Sequence, residues 1–336
     1  VIGRARANAG ALDPTWGEAG VKRIMFSENG DLATSALLDP DGKVVISGWV
    51  NGYPGEFGVA RLRSDGALDP TFGDEGMEMT RFGDNPDLPN SSWSIGPRQG
   101  GGYLVAGERC DVDYVVCEWL TAAYNHDGTL DESFDDDGWT TTTVPGAEGV
   151  YAWPPTNLLQ PDGKSIVGGI VWQTDGDIDI ALRRHNIDGS LDDTFGDGGI
   201  AVFDIDEEGD YLEYLALLPD GKIIVLGGTG EVLDPFTYIG DHGFLVRLNG
   251  DGSMDDSFGA GGIVMWGEAG SGTGTEGLAV SSGGDIFVSG LTAGETEGTT
   301  DCAVWRFNSG GAMDMTFGEG GVQLIDDGGD EICITA

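Results

Sequence analysis

Carboxylates are the reactive groups this chain has in quantity: 58 Asp and Glu against 16 Lys and Arg, with 3 His, for a formal net charge of −42. Grouped acids do two kinds of chemistry: they hold hard cations through oxygen, and they move protons across a glycosidic bond. The run Asn249-Gly250-Asp251-Gly252-Ser253-Met254-Asp255 sets oxygen-bearing side chains at alternate positions, so Asn249, Asp251 and Asp255 are candidate metal ligands and calcium is the cofactor to weigh. Asp135-Asp136-Asp137 and Asp204, Asp206, Glu207 and Glu208 are further sources of carboxylate. The run departs from an EF-hand loop, with Gly252 at position four and Ala260 at position twelve. Plain Asp-Gly turn chemistry explains the same residues.

No catalytic residue stands out. His126, His185 and His242 share no H-x-x-x-H or H-x-H spacing, and no G-x-S-x-G occurs. Among so many acids, any one pair chosen for glycoside hydrolysis carries little information. Gly272-Thr273-Gly274-Thr275-Glu276-Gly277 imitates G-x-G-x-x-G, but it joins two strands without a helix and is not a nucleotide site. A surface this acidic repels phosphate backbones and anionic lipid, which argues against nucleic-acid partners. No run approaches the ~18 apolar residues of a membrane helix, so direct membrane insertion is not expected.

Cys110 and Cys117 bracket a six-residue loop between two strand-like runs, where a hairpin would bring them into a disulfide. Cys302 and Cys333, near the last repeats, are a second candidate pair. Disulfides imply an oxidising compartment, hence an exported protein at the cell surface or outside the cell. The chain begins at Val1, which reads as a mature or trimmed product.

The elements that position these groups come from a repeat. The pattern L-D-x-[ST]-[FW]-G-x-x-G, with Met for Leu in two copies and Asp135 for Gly in one, occurs six times. Its acidic residues are Asp13, Asp69, Asp131, Asp192, Asp255 and Asp314, at steps of 56, 62, 61, 63 and 59 residues. Its aromatics are Trp16, Phe72, Phe134, Phe195, Phe258 and Phe317. A period of this length marks an array of one supersecondary unit. Each unit holds four short apolar runs parted by turns, so the expected fold is all-β: a six-bladed β-propeller of four-stranded antiparallel blades. The full blades span approximately 33–82, 92–144, 155–204, 213–266 and 276–325; a sixth, built from 1–26 plus 330–336, closes a single domain over 1–336 with strands from both termini. Within each signature the aromatic is expected to insert between blades, and Asp to hold an Asx-type turn with Ser or Thr. Arg61, Arg184, Arg247 and Arg306 recur seven residues before the Leu or Met and should pair with signature carboxylates.

Asp188-Gly189-Ser190-Leu191-Asp192-Asp193-Thr194-Phe195-Gly196, its counterpart at 250–259, and Pro-Asp-Gly-Lys at 40–43, 161–164 and 219–222 resemble the delta-60 repeat family. That resemblance implies a bacterial, exported, propeller-like protein and supplies no catalytic residues. The expectation from sequence is therefore a non-enzymatic binding, adhesion or assembly module, calcium-stabilised, that takes a protein or glycan ligand at its loop face. Tyr53, Trp93, Tyr151, Trp153, Trp172 and Tyr238 lie in or near the variable loops that would form this face. One alternative is a secreted carbohydrate-active enzyme with acidic catalysts in a central funnel. Another is a structural subunit whose self-assembly completes the sixth blade.

Overall fold

Short runs of Val, Ile and Leu become strands here because Asp-Gly turns interrupt them before they can grow. In Leu218-Pro219-Asp220-Gly221-Lys222, Gly221 takes φ +85; its N–H donates to Leu218 O at 2.9 Å, and Lys222 N–H donates to Asp220 Oδ1 at 3.2 Å. The left-handed conformation at Gly221 is what lets the chain reverse in so few residues.

The computed structural model describes residues 2–3, 12–52, 55–83, 88–111, 117–151, 157–174, 176–206, 209–234, 237–267, 273–293 and 300–325. The chain divides into two compact units, one of residues 1–143, 149–165 and 186–190, the other of 144–148, 166–185 and 191–336. In the first unit β1 (Ile2–Gly3) pairs with β2 (Val21–Lys22). Two four-stranded antiparallel sheets follow, each in sequence order: β3 (Leu32–Leu38), β4 (Val44–Val50), β5 (Glu56–Leu62) and β6 (Met77–Thr80), then β7 (Asn90–Pro97), β8 (Tyr103–Cys110), β9 (Cys117–Tyr124) and β10 (Trp139–Thr142). Short strands β11 (Ala147–Tyr151) and β12 (Asn157–Leu159) come next along the chain. The second unit carries β13 (Ser165–Gln173), β14 (Ile178–His185) and β15 (Ile200–Phe203). It also holds the sheets β16 (Gly209–Leu217) to β19 (Ile263–Trp266), through β17 (Ile223–Asp234) and β18 (Thr237–Leu248), and β20 (Gly274–Val280) to β23 (Val322–Ile325), through β21 (Ile286–Ala293) and β22 (Thr300–Phe307).

The all-β expectation therefore holds, with five larger antiparallel sheets rather than six among the described residues. Residues 1–26 contribute only the two-stranded β1–β2 pair, and 330–336 lie outside the described residues. Each unit has its own apolar interior. Phe57, Val59, Phe72, Val105, Leu120 and Tyr124 lead the first, and Ile224, Leu226, Leu245, Phe258, Trp266 and Val288 a cluster in the second.

Successive repeats are joined by one clasp. The signature aromatic lies under the glycine turn of the following repeat. A Cβ added to Gly128 would meet the Phe72 ring at 3.1 Å, and one on Gly189, Gly252 or Gly311 would meet Phe134, Phe195 or Phe258 at 2.9–3.0 Å. Only glycine lets the turn sit so close. The next residue's N–H then donates to that turn, as from Gly73 to Asp127 O at 2.7 Å and from Gly196 to Asp251 O at 2.8 Å. Arginine closes the clasp: Arg247 Nε donates to Asp255 Oδ2 at 2.6 Å, its Nη1 to Ser309 O, and its guanidinium lies 4.6 Å over Phe258. Arg61 and Arg184 repeat this arrangement with Asp69 and Asp192. The lysine of Pro-Asp-Gly-Lys adds a second cation, from Lys43 to Asp69 at 2.9 Å and Lys222 to Asp255 at 2.6 Å.

The second repeat lacks both cations, with Ala123 in the arginine's place and Gly102 in the lysine's. The equivalence is fixed by backbone bonds: Ala123 N–H donates to Gly138 O as Arg61 N–H does to Gly76 O, and Asp131 N–H to Ala123 O as Asp69 N–H does to Arg61 O. Arg98, from the β7–β8 turn, fills the gap. It pairs with Asp131, donates through Nη2 to Ile187 O in the following turn at 2.9 Å, and lies 5.4 Å over Phe134. One arginine from a different strand end does the work of two cations.

Candidate functional site

The acids of the repeat signature hold the turns together. Asp255 accepts from Arg247 and Lys222 on Oδ2 and from Ser257 Oγ at 2.7 Å on Oδ1. Asp251 Oδ1 is held by Ser253 Oγ at 2.6 Å, and Asn249 donates to Ser253 Oγ and Met254 O, both at 3.0 Å. Asn249, Asp251 and Asp255, expected as calcium ligands, therefore lie in one hydrogen-bonded turn, with the Arg247 and Lys222 cations on Asp255. Asp13, Asp69, Asp131, Asp192 and Asp314 make the same Asx-type bond to the Ser or Thr two residues on. Trp16, Phe72, Phe134, Phe195 and Phe258 are buried, while Phe317, in the last signature, is half-buried.

Cys110 and Cys117 form the expected hairpin disulfide, paired directly across β8 and β9. Cys302 is also disulfide-bonded; its expected partner Cys333 lies outside the described residues. Of the loop aromatics, Trp93 is buried at 8% exposure, so it packs rather than presenting a binding face. Tyr53 and Trp153 lie outside the described residues.

Two acidic constellations emerge that the repeat pattern does not show. The first is on β16 and β20, the opening strands of adjacent sheets, which pack against each other. Each carries a β-bulge at the same place. The register shifts between Leu212 and Tyr214 on one and between Thr275 and Gly277 on the other, leaving Glu213 and Glu276 as the extra residues. Bulges commonly re-aim a side chain next to a working site. The corresponding bulge residues of the first two sheets are Thr34 and Trp93, so the pair of acids belongs to this unit. Burial pushes the Glu276 carboxyl above its ordinary value. A cleft of about 300 Å³ opens beside the bulges, lined by Tyr214, Gly277, Leu278, Phe287 and Ser289. Tyr214 and Gly277 are the direct neighbours of the two glutamates.

The second constellation lies at one end of β14 and β15. One carboxylate oxygen from each of Asp177, Asp179 and Asp204 lies within 4.8 Å of the others. Two unit charges ~4 Å apart repel by about 4 kcal/mol at an effective dielectric constant near 20. Burial, then the charges of Asp179, Asp177 and Asp206, raises the Asp204 carboxyl. Burial also drives Asp210 up to about 8, with Asp204, Asp177 and Asp179 adding to it against one backbone hydrogen bond from Ile205. The sequence singles out Asp204 as a source of carboxylate but not Asp177 or Asp179 beside it, and neither glutamate, because strand register, not spacing, assembles both groups.

Comparison with known proteins follows the repeat. The family described as "Domain of unknown function (DUF5122) beta-propeller" matches residues 40–72, 160–195, 218–258 and 284–317. No curated protein matches the chain. Among solved structures it is similar to an endo-arabinase from Bacteroides thetaiotaomicron VPI-5482, with 12% identity over 82% of this chain and 93% of that one and a TM-score of 0.45. It is similar to an α-L-arabinanase from Penicillium chrysogenum complexed with arabinobiose, at 13% identity, 83% and 93% coverage and a TM-score of 0.45. It is also similar to a protein of unknown function from Dyadobacter fermentans DSM 18053, at 12% identity, 91% and 86% coverage and a TM-score of 0.49. These likenesses transfer no residue roles. The expectation of a non-enzymatic binding, adhesion or assembly module finds no support among these structures, two of which are enzymes. Among the described residues no helix is long and apolar enough to cross a membrane. Over those four segments the chain is similar to a β-propeller repeat family.

Proposed function

We propose that the protein is a glycan-hydrolysing enzyme in which Glu276 is the proton donor and Glu213 its partner carboxylate. The observation that supports this most is their placement at equivalent bulges of two packed strands beside one cleft. Glycoside hydrolysis needs two carboxyls in unlike protonation states. Burial keeps a proton on Glu276 to higher pH than a solvated glutamate would hold it. Glu276 protonates the leaving oxygen as the glycosidic bond breaks, and Glu213 faces the positive charge that develops on the sugar ring or takes a proton from the attacking water. Tyr214 and Phe287 in the cleft wall give a sugar ring an apolar surface.

The delta-60 repeat identity, a sixth blade completing a single closed domain from both chain ends, and export from a bacterial cell belong to the same reading. The Cys110–Cys117 disulfide supports export, and a glycan is the partner it favours.

The test is release of reducing ends from a polysaccharide panel that includes arabinans and galactans. Wild type is expected to act on one member, and Glu276→Gln to lose that activity while melting at the wild-type temperature. Absence of turnover across the panel, or full activity in the variant, would overturn the proposal.

A further inference from the structure

The acidic group at the end of β14 and β15 points to a cation. Ile180 pairs with Phe203, so the next step outward sets Asp179 opposite Asp204, and the turn Gln173–Asp177, closed by Gln173 N–H on Asp177 O at 2.9 Å, brings Asp177 beside them. Gln173 Nε2 donates to Asp179 Oδ2 and orients it. Unlike the signature acids of the complete clasps, Asp179 and Asp204 have no Lys or Arg partner among the described residues. Asp204 is exposed and Asp179 buried, so the group has an open side and a closed one.

A second, independent observation comes from Asp210. Its side chain is fully buried at 0% exposure. Oδ2 accepts from Ile205 N–H at 2.6 Å, which holds the carboxyl against the segment carrying Asp204, and Oδ1 has no hydrogen-bond partner among the described residues. Asp31 holds the same place in the first sheet, three residues before the bulge. There, Phe26 and Ser27 N–H donate to Oδ2, and Ser27 Oγ at 2.9 Å and Asn51 N–H at 3.1 Å donate to Oδ1. Among the described residues, the donors that satisfy Oδ1 in Asp31 have no counterpart at Asp210. A buried carboxylate oxygen without a donor, beside three clustered carboxylates, is the arrangement a positive ion completes.

We propose that Asp177, Asp179 and Asp204 bind a divalent cation of the calcium class, with the buried Asp210 carboxyl next to them. All the donors are oxygen, which selects a hard cation over zinc or copper. Three carboxylates leave the remaining positions of a six- to eight-coordinate ion to water at the open side, where Asp204 lies. The ion ties β13, β14 and β15 to the entry of β16, so binding stabilises this corner of the second unit. Neither Glu213 nor Glu276 is a ligand of this site, which holds or fails independently of the enzymatic reading.

The test uses the full chain, stripped with chelator and dialysed at constant ionic strength, then titrated with CaCl2 and separately MgCl2 by calorimetry and thermal melting. One saturable site and a rise in melting temperature are expected. Asp179→Asn and Asp204→Asn should each weaken binding by about tenfold or more, whereas Asp256→Asn, which removes the same charge from a signature turn, should not. Asp204 is exposed, so its variant carries the test if Asp179→Asn does not fold. Equal stabilisation of all variants by calcium would mean diffuse counterion screening and overturn the site. So would the absence of saturable heat at calcium on the order of 10 mM, above the weakest range for extracellular calcium modules.

Discussion

Arg98→Ala removes the only side-chain cation among the described residues of the second repeat's clasp. Its side chain is 11% exposed and that of Asp131 is 20%, so the pair lies between two limits: ~3–5 kcal/mol for stranding one member of a buried pair, and ~0–1 kcal/mol for a surface pair. Asp131 keeps its Ser133 bonds at 2.6 and 3.0 Å, which lowers the loss. The contact over Phe134 adds about 0.5–1 kcal/mol. A total of about 2–3 kcal/mol follows, or roughly 5–10 °C in melting temperature at ~2–4 °C per kcal/mol. Circular dichroism melts at pH 7 measure it. Arg98→Lys should recover little, because an ammonium lacks the planar fork that reaches Asp131 and Ile187 O together. Ala123→Arg in the Arg98→Ala background places the guanidinium where the other repeats carry it and should recover about half the loss or more. A melting temperature within 1 °C of wild type for Arg98→Ala would refute the clasp as a source of stability (a shift far below the ~5 °C floor).

Phe258→Ala should cost about 3–5 kcal/mol, as for other fully buried aromatics, and is checked by denaturant unfolding. Lys222→Met should raise the pH at which acid unfolding begins. Hydrogen bonds from Lys222 and Ser257 hold the Asp255 carboxyl well below the usual carboxylate range. That contribution is fully present above the unfolded aspartate value near ~4 and is lost as pH falls through the folded one; far-UV ellipticity against pH reports it. Gly227→Ala should destabilise strongly, because an added Cβ would strike Tyr211 O and the Phe244 ring; a thermal melt tests it.

The repeat was legible because its parts are local: Asp, Ser or Thr, an aromatic and glycines within nine residues build the same turn wherever they occur. Disulfide Cys110–Cys117 was legible for the same reason, being one hairpin. Arg98 was not, because it reaches the clasp of Asp131 from 33 residues away and from the opposite end of the sheet's first strand. At Asn249–Asp255, where the sequence suggests calcium ligands, Arg247 and Lys222 reach Asp255 in a way that spacing does not show. Glu213 and Glu276 become equivalent only when both strands bulge at the same step. The count of sheets fell short of six because the pieces expected to make the last blade include 330–336, outside the described residues.

Glycan hydrolysis by Glu276 and Glu213 is tested most directly by steady-state kinetics of Glu276→Gln on the polysaccharide that wild type degrades. The predicted result is a fall in kcat of about 10²–10⁴ with KM little changed, and wild-type activity that declines on the alkaline side as Glu276 loses its proton. An unchanged kcat in the variant, with binding alone weakened, would contradict it.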